Sequence, residues 1–160
     1  MTDDPHALIA RLEDDERRLT FDRFDNTDAL ALGTLLVDLA TTRDLPVTID
    51  IRRGTQQLFH AALPGTTADQ DAWIHRKVRV VERYGASSYL VGRRLAANDQ
   101  HLDAEMGVEA RDYAAHGGAF PVRVPHVGIV GVITVSGLPQ ADDHALVVEA
   151  VQTFLDRRLR

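Results

Sequence analysis

Residues 127–135 are apolar at almost every position, while the other strand-like stretches alternate apolar with polar. A continuous apolar run of this length predicts a strand covered on both faces, and so the middle of a sheet. Phe120-Pro121-Val122-Arg123-Val124 leads into it through a corner at Pro125-His126, which reads as a hairpin. Pro121 cannot donate a ladder hydrogen bond, so its strand belongs beside an edge or a bulge. Residues 47–52 repeat with period two, Arg53-Gly54-Thr55 suits a turn, and residues 57–63 return as the partner strand of a second hairpin. Residues 19–24 also alternate and predict a short half-buried strand.

Periods near 3.6 mark the helices. A first one over residues 4–18 starts near Asp3 or Asp4, has Pro5 in its first turn, and carries a thin stripe of Leu8, Ile9 and Leu12. Such a helix is expected to pack on a neighbouring subunit or to fray. Asn26 or Thr27 can cap a helix to about residue 43. There Leu32, Leu35, Leu36, Leu39 and Ala40 share a face, while Leu30 and Val37 lie off it, which predicts burial on more than one side. Gly33 in its interior predicts close approach to another element. Thr67 and Gln70 form a capping-box signature for a helix ending at Gly85. Ser87 or Ser88 then caps a short helix to about residue 97, and residues 98–117 look irregular, with a break at Gly107. A last helix begins at Pro139, with Val147, Val148, Val151, Phe154, Leu155 and Leu159 as its apolar face. Two hairpins plus one lone strand, interleaved with helices, predict an α+β fold. Its sheet is mainly antiparallel and five-stranded with helices packed on its faces, in a single domain over 1–160 whose residues 1–18 form a helical extension.

Composition narrows the function classes. At 160 residues, with 44% hydrophobic and 26% charged positions, the chain can bury a full core. A net charge of −6 argues against a nucleic-acid partner. With no cysteine there is no disulfide, thiolate ligand or thiol nucleophile. The charged first twenty residues do not read as a signal peptide, and no apolar run reaches the roughly 20 residues of a membrane helix. The expectation is a cytoplasmic protein with no membrane partner.

Chemistry concentrates in three places. His116-Gly117-Gly118 offers an imidazole for a metal or a proton beside backbone that can approach a ligand; it also reads as a flexible loop with a surface histidine. Trp73, Arg76 and Lys77 put an aromatic ring and two cations along one helix, with Trp73 and Lys77 one turn apart. This suits a flat ring bearing acidic substituents or a phosphorylated ligand, and equally a core tryptophan with a solvated basic edge. Ser87 and Ser88 could bind an anion at a helix start, although capping explains them as well. Ser136-Gly137 lacks the first glycine of a nucleophile elbow. Asp142-Asp143-His144 are adjacent on a helix and point apart, so capping is preferred to a metal site.

Several segments together resemble the haem-degrading domain family, which includes GlcG-like and HbpS-like proteins and the C-terminal domain of PduO. They are Thr67-x-Asp69-Gln70-x-x-Trp73-Ile74-x-Arg76-Lys77, Ser87-Ser88, His116-Gly117-Gly118-Ala119-Phe120-Pro121 and Val135-Ser136-Gly137-Leu138-Pro139. The similarity runs from about residue 20 to 155 and is nearest to a branch of short stand-alone proteins. It implies a five-stranded antiparallel sheet, homo-oligomers, and haem or tetrapyrrole binding, with Trp73, Arg76, Lys77, Ser87, Ser88, Gly117 and Gly118 on the branch motif. On a haem-binding reading, Arg76 and Lys77 would neutralise propionates and Trp73 would flank the ring, while His116, which is chosen from this chain's own residues and not carried over from the family, would approach the iron as the metal ligand. Three readings stand side by side: an oligomeric haem-binding protein with at most weak haem degradation, a non-enzymatic oligomeric adaptor, and an enzyme on a small anionic metabolite cradled by Arg76, Lys77 and the double glycine.

Overall fold

In a computed structural model, which describes residues 4–160, the apolar run forms β4 (Gly128–Ser136). It lies between β1 (Thr48–Arg53) and β3 (Ala119–Val124), with β2 (Gln56–Ala62) beyond β1. All pairings are antiparallel, in the order β2-β1-β4-β3. The most apolar strand therefore has a partner on each side, as its pattern requires. β3 is an edge strand, where the missing N–H of Pro121 leaves no inner ladder bond unmade.

The sheet has four strands, not five. Residues 19–25 form no strand, and their one backbone bond to the sheet runs from Phe21 N–H to Arg123 O at 2.9 Å. Leu19 and Phe21 are nonetheless fully buried. The alternation was a true record of which side chains go inward, and burial needs no ladder of backbone bonds.

Helices cover both faces. α2 (Asn26–Thr42) and α5 (Gln140–Arg158) pack over one face on Ile49, Ile51, Phe120 and Ile133. α3 (Ala68–Tyr84) covers the other face, where Ile74, Val78 and Val81 meet Ala119 and Val132. α4 (Ser88–Ala97) follows beside α3. α1 (Pro5–Arg18) packs on α4 of the same chain through Leu12; Asp3 lies outside the described residues. Two polar ties fix it: Glu16 accepts the Ser87 N–H at 2.9 Å, and Arg94 pairs with Glu13 at 2.7 Å. Leu159, expected on the buried face of the last helix, is instead 88% exposed just past the end of α5.

Capping matches the local chemistry with one shift. Asp25, not Asn26 or Thr27, caps α2 in a reciprocal box with Asp28. Thr67 and Gln70 cap α3 as expected, and Gly85 ends it with φ at 69°. α2 is buried on one broad side only, because Leu30 is 59% exposed and Val37 lies at the margin of the core. The region before β3 holds two single 3-10 turns, Ala104–Met106 and Ala110–Asp112, with Gly107 between them. Gly33 lets α2 lie directly on the sheet: a Cβ there would stand 2.3 Å from the Phe59 ring. Gly33→Ala is expected to destabilise the protein by about 1–3 kcal/mol in urea unfolding, the range for overpacking a core; an unchanged midpoint would mean that Phe59 moves aside freely.

Candidate functional site

Lys77 leaves α3 on the side facing the end of β4. Ile74 and Val80, one turn to either side of it, are buried, and its own side chain is only 4% exposed. The ammonium donates to Val135 O at 3.2 Å and to the Asp143 carboxylate at 3.1 Å. Asp143, in the first turns of α5, also accepts the N–H groups of Gly137 at 3.3 Å and Leu138 at 3.0 Å. Burial pushes the Lys77 ammonium down and the Asp143 carboxyl up from their ordinary ranges, and each charge pulls the other back. Three donors on the carboxylate and two acceptors on the ammonium are what a buried pair needs to stay ionised.

The pair constrains the second of the two glycines that follow His116, and the start of α5 constrains the first. A Cβ on Gly118 would stand 2.2 Å from Val135 O and 2.8 Å from Lys77 Nζ, and its φ of 136° disfavours any side chain. A Cβ on Gly117 would meet Gln140 O at 2.1 Å. The double glycine is thus a packing requirement where the chain crosses the ion pair. The Gly117 N–H is taken by the Gln140 side chain at 3.2 Å. With Lys77 held by Asp143 as well, two members of the anion cradle expected of Arg76, Lys77 and these glycines, Lys77 and the Gly117 N–H, are engaged within the protein itself.

The same crossing sets His116 against α3. Its ring centroid lies 5.4 Å from that of Trp73, inclined at 51°, and the Arg76 guanidinium sits 4.7 Å over the Trp73 ring. Trp73, Lys77 and His116 line one hollow of about 280 Å³ with Gln70, Gln140 and the loop after β4. Arg76 faces an adjoining hollow of about 380 Å³, and His116 lines both. Burial lowers the His116 pKa, and the positive charges of Lys77, Arg76 and Arg93 lower it further, so the imidazole is neutral at pH 7 with a free lone pair.

Ser87 and Ser88 do not join the hollow. Ser87 caps α4 through Leu90 N–H at 3.1 Å. Ser88 Oγ accepts the Ala119 N–H at 3.0 Å, and both serines are fully buried. They tie α4 to α1 and β3, which is a structural use. Asp142-Asp143-His144 divides three ways, and capping does not describe it. Asp142 is exposed, Asp143 is the ion-pair partner, and His144 is a buried imidazole beside Tyr89 (5.0 Å) and Phe120 (6.1 Å) with no hydrogen bond to either nitrogen. One signal for the ion pair was present in the sequence: Lys77 falls on the stripe shared with Trp73, Val80 and Tyr84. Among the described residues, no three His, Asp or Glu side chains gather as a metal-binding group.

Fold and site together define a small α+β domain whose antiparallel sheet, covered by helices, carries an aromatic-flanked basic hollow at the end of its central strand. The chain belongs to the HbpS-like family of haem-degrading proteins: the profile described as "Haem degrading protein HbpS-like" matches residues 24–152. It is 60% identical over 147 residues to the UPF0303 protein SCO2848 of Streptomyces coelicolor, covering 92% of this chain and 93% of that one. Among solved structures it is similar to Ybr137w, with a TM-score of 0.88 at 30% identity over 95% of this chain and 90% of that one. A PduOC:heme complex shares the fold, with a TM-score of 0.65 at 14% identity over 81% of this chain and 93% of that one. No helix among the described residues is long and apolar enough to cross a membrane.

His144 gives the fold an acid limit. Burial pushes its pKa down from 6.5 to about 4. The unfolded chain therefore takes up this proton first as pH falls, and the stability that rests on a neutral His144 is lost from about pH 6.5 down to about pH 4. Between pH 8 and pH 5 the wild type should lose about 2 kcal/mol more than His144→Phe in urea unfolding. Parallel losses in both proteins would show that His144 titrates normally.

Proposed function

We propose that this chain is a haem- or tetrapyrrole-binding protein that works as a homo-oligomer and seats the ring at the Trp73–His116 hollow. The observation that carries this reading is the neutral, exposed imidazole of His116 set against the Trp73 ring, with the charges of Lys77, Arg76 and Arg93 acting on it. A neutral imidazole is the form that ligates iron, and guanidinium groups at the rim suit propionates. Trp73 offers a flat wall, and Arg76 is the nearest cation with donor capacity left over. Lys77 is spent on Asp143, so its contribution is the positive field it casts on His116 and not a direct propionate contact. When bound, haem would supply a redox-active iron; the side chains here supply a ligand, a wall and counter-charge.

Size supports the oligomer. The hollow of about 280 Å³ falls just below the roughly 300–1,000 Å³ of enclosing ligand pockets, so one chain can hold an edge of a macrocycle and a second copy would cover the rest. The haem complex of the structurally similar PduOC supports the choice of ligand. Binding, and not turnover, is the activity these side chains support.

Haem titration followed by Soret absorbance tests this. The wild type should saturate with a shifted Soret band, and His116→Ala should weaken binding at least tenfold, with light scattering reporting an oligomer. An identical band and affinity in His116→Ala would remove His116 as the iron ligand. No Soret change in the wild type would return the chain to the adaptor reading.

A further inference from the structure

The hollow that adjoins the Trp73 site, on the Arg76 side of His116, has a charge balance unlike the rest of the molecule. The chain carries 24 acidic residues against 18 basic ones, yet none of the side chains lining this hollow of about 380 Å³ is acidic. Two arginines and two histidines line it instead: Arg76, Arg93, His101 and His116. Arg93, on α4, makes no hydrogen bond or ion pair with any described residue; the ring of Tyr89, 5.5 Å from its guanidinium, is its one recorded partner. Arg76 spends a single nitrogen, Nη2, on two weak bonds to the carbonyls of Ala110 (3.4 Å) and Tyr113 (3.3 Å). The Nε atoms of both arginines are buried without an acceptor. A buried guanidinium edge lacking an acceptor is costly, and two of them at one cavity with no carboxylate leave a positive field unopposed.

We propose that this hollow is a binding site for a small organic carboxylate. The guanidinium is the group that takes a carboxylate in a two-pronged, charge-assisted contact, and both arginines retain the donors for it. The remainder of the wall is Leu95, Leu102 and the ring of Tyr113, which suits a compact apolar body behind the carboxylate and gives a fully solvated inorganic ion little to gain. At about 380 Å³ the space falls within the range of enclosing small-molecule pockets. This site does not rest on haem binding, although the two ligands would share His116 as a wall. No acidic side chain lines it, and Asp103, next in sequence to the lining residue Leu102, caps the 3-10 turn at Ala104.

Isothermal titration of the haem-free protein at constant ionic strength tests the assignment, with benzoate, succinate and inorganic phosphate as probes and sodium chloride as the balancing salt. At least one of the two carboxylates should bind saturably, one per chain. Arg93→Met keeps the aliphatic stem, breaks no hydrogen bond, and should weaken that binding at least tenfold. Arg93→Lys keeps the charge without the fork and should fall between the two. Arg43→Met removes an equal charge from a Glu149-paired arginine at the end of α2, on the other face of the sheet, and should leave binding within twofold. The proposal is overturned if neither carboxylate saturates, if phosphate alone binds, or if Arg93→Met binds like the wild type or no worse than Arg43→Met. Because no haem is present, a failed Soret titration and a failed anion titration are separate results.

Discussion

Everything at the functional end of this molecule is placed by one buried ion pair. Lys77 reaches from α3 under the crossing chain and meets Asp143 of α5 beside the last carbonyls of β4. Three separate elements are pinned at a single point, and two charges are held away from water only because every strong donor and acceptor around them is matched. The pair and the Val135 carbonyl leave no room for a side chain at 118, while the Gln140 carbonyl at the start of α5 leaves none at 117. The residue before those glycines is then forced to emerge beside α3. One turn before Lys77 on that helix is Trp73, and His116 meets it there.

Charge is distributed with the same economy. The molecule is acidic overall, but the cations Lys77, Arg76 and Arg93 all act on His116 and keep its imidazole free of a proton. A neutral ring with a lone pair, an aromatic wall and spare guanidinium donors are the ingredients of ring and carboxylate recognition alike. The two hollows that share His116 divide these ingredients: the aromatic wall lies on one side and the unspent arginines on the other.

Much of the architecture was legible because burial writes itself into periodicity. The central strand, the edge position of Pro121, both hairpins, the Thr67–Gln70 cap and the close approach at Gly33 all followed from local chemistry. The fifth strand failed because alternation at residues 19–24 reports burial, while pairing depends on a partner that sequence cannot show. The adjacency of Trp73, Lys77 and His116 was readable as a juxtaposition, but the fate of Lys77 was not. A lysine in a mixed stripe reads as a solvated edge until its acidic partner, 66 residues away, is known. For the same reason Asp143 read as a helix-end charge. Ser87 and Ser88 matched the family pattern yet serve capping and strand attachment, because a motif position does not distinguish a ligand contact from a structural one.

The most direct test of this account is a double-mutant cycle between Lys77→Met and Asp143→Leu, read by urea unfolding through the fluorescence of Trp73, the only tryptophan in the chain. If the pair organises this end of the fold, each single variant strands a buried charge and loses about 3–5 kcal/mol, and the double variant is more stable than the worse single one. Losses that simply add, to within about 0.5 kcal/mol, would mean that the two charges do not depend on each other and that something else holds the site in place.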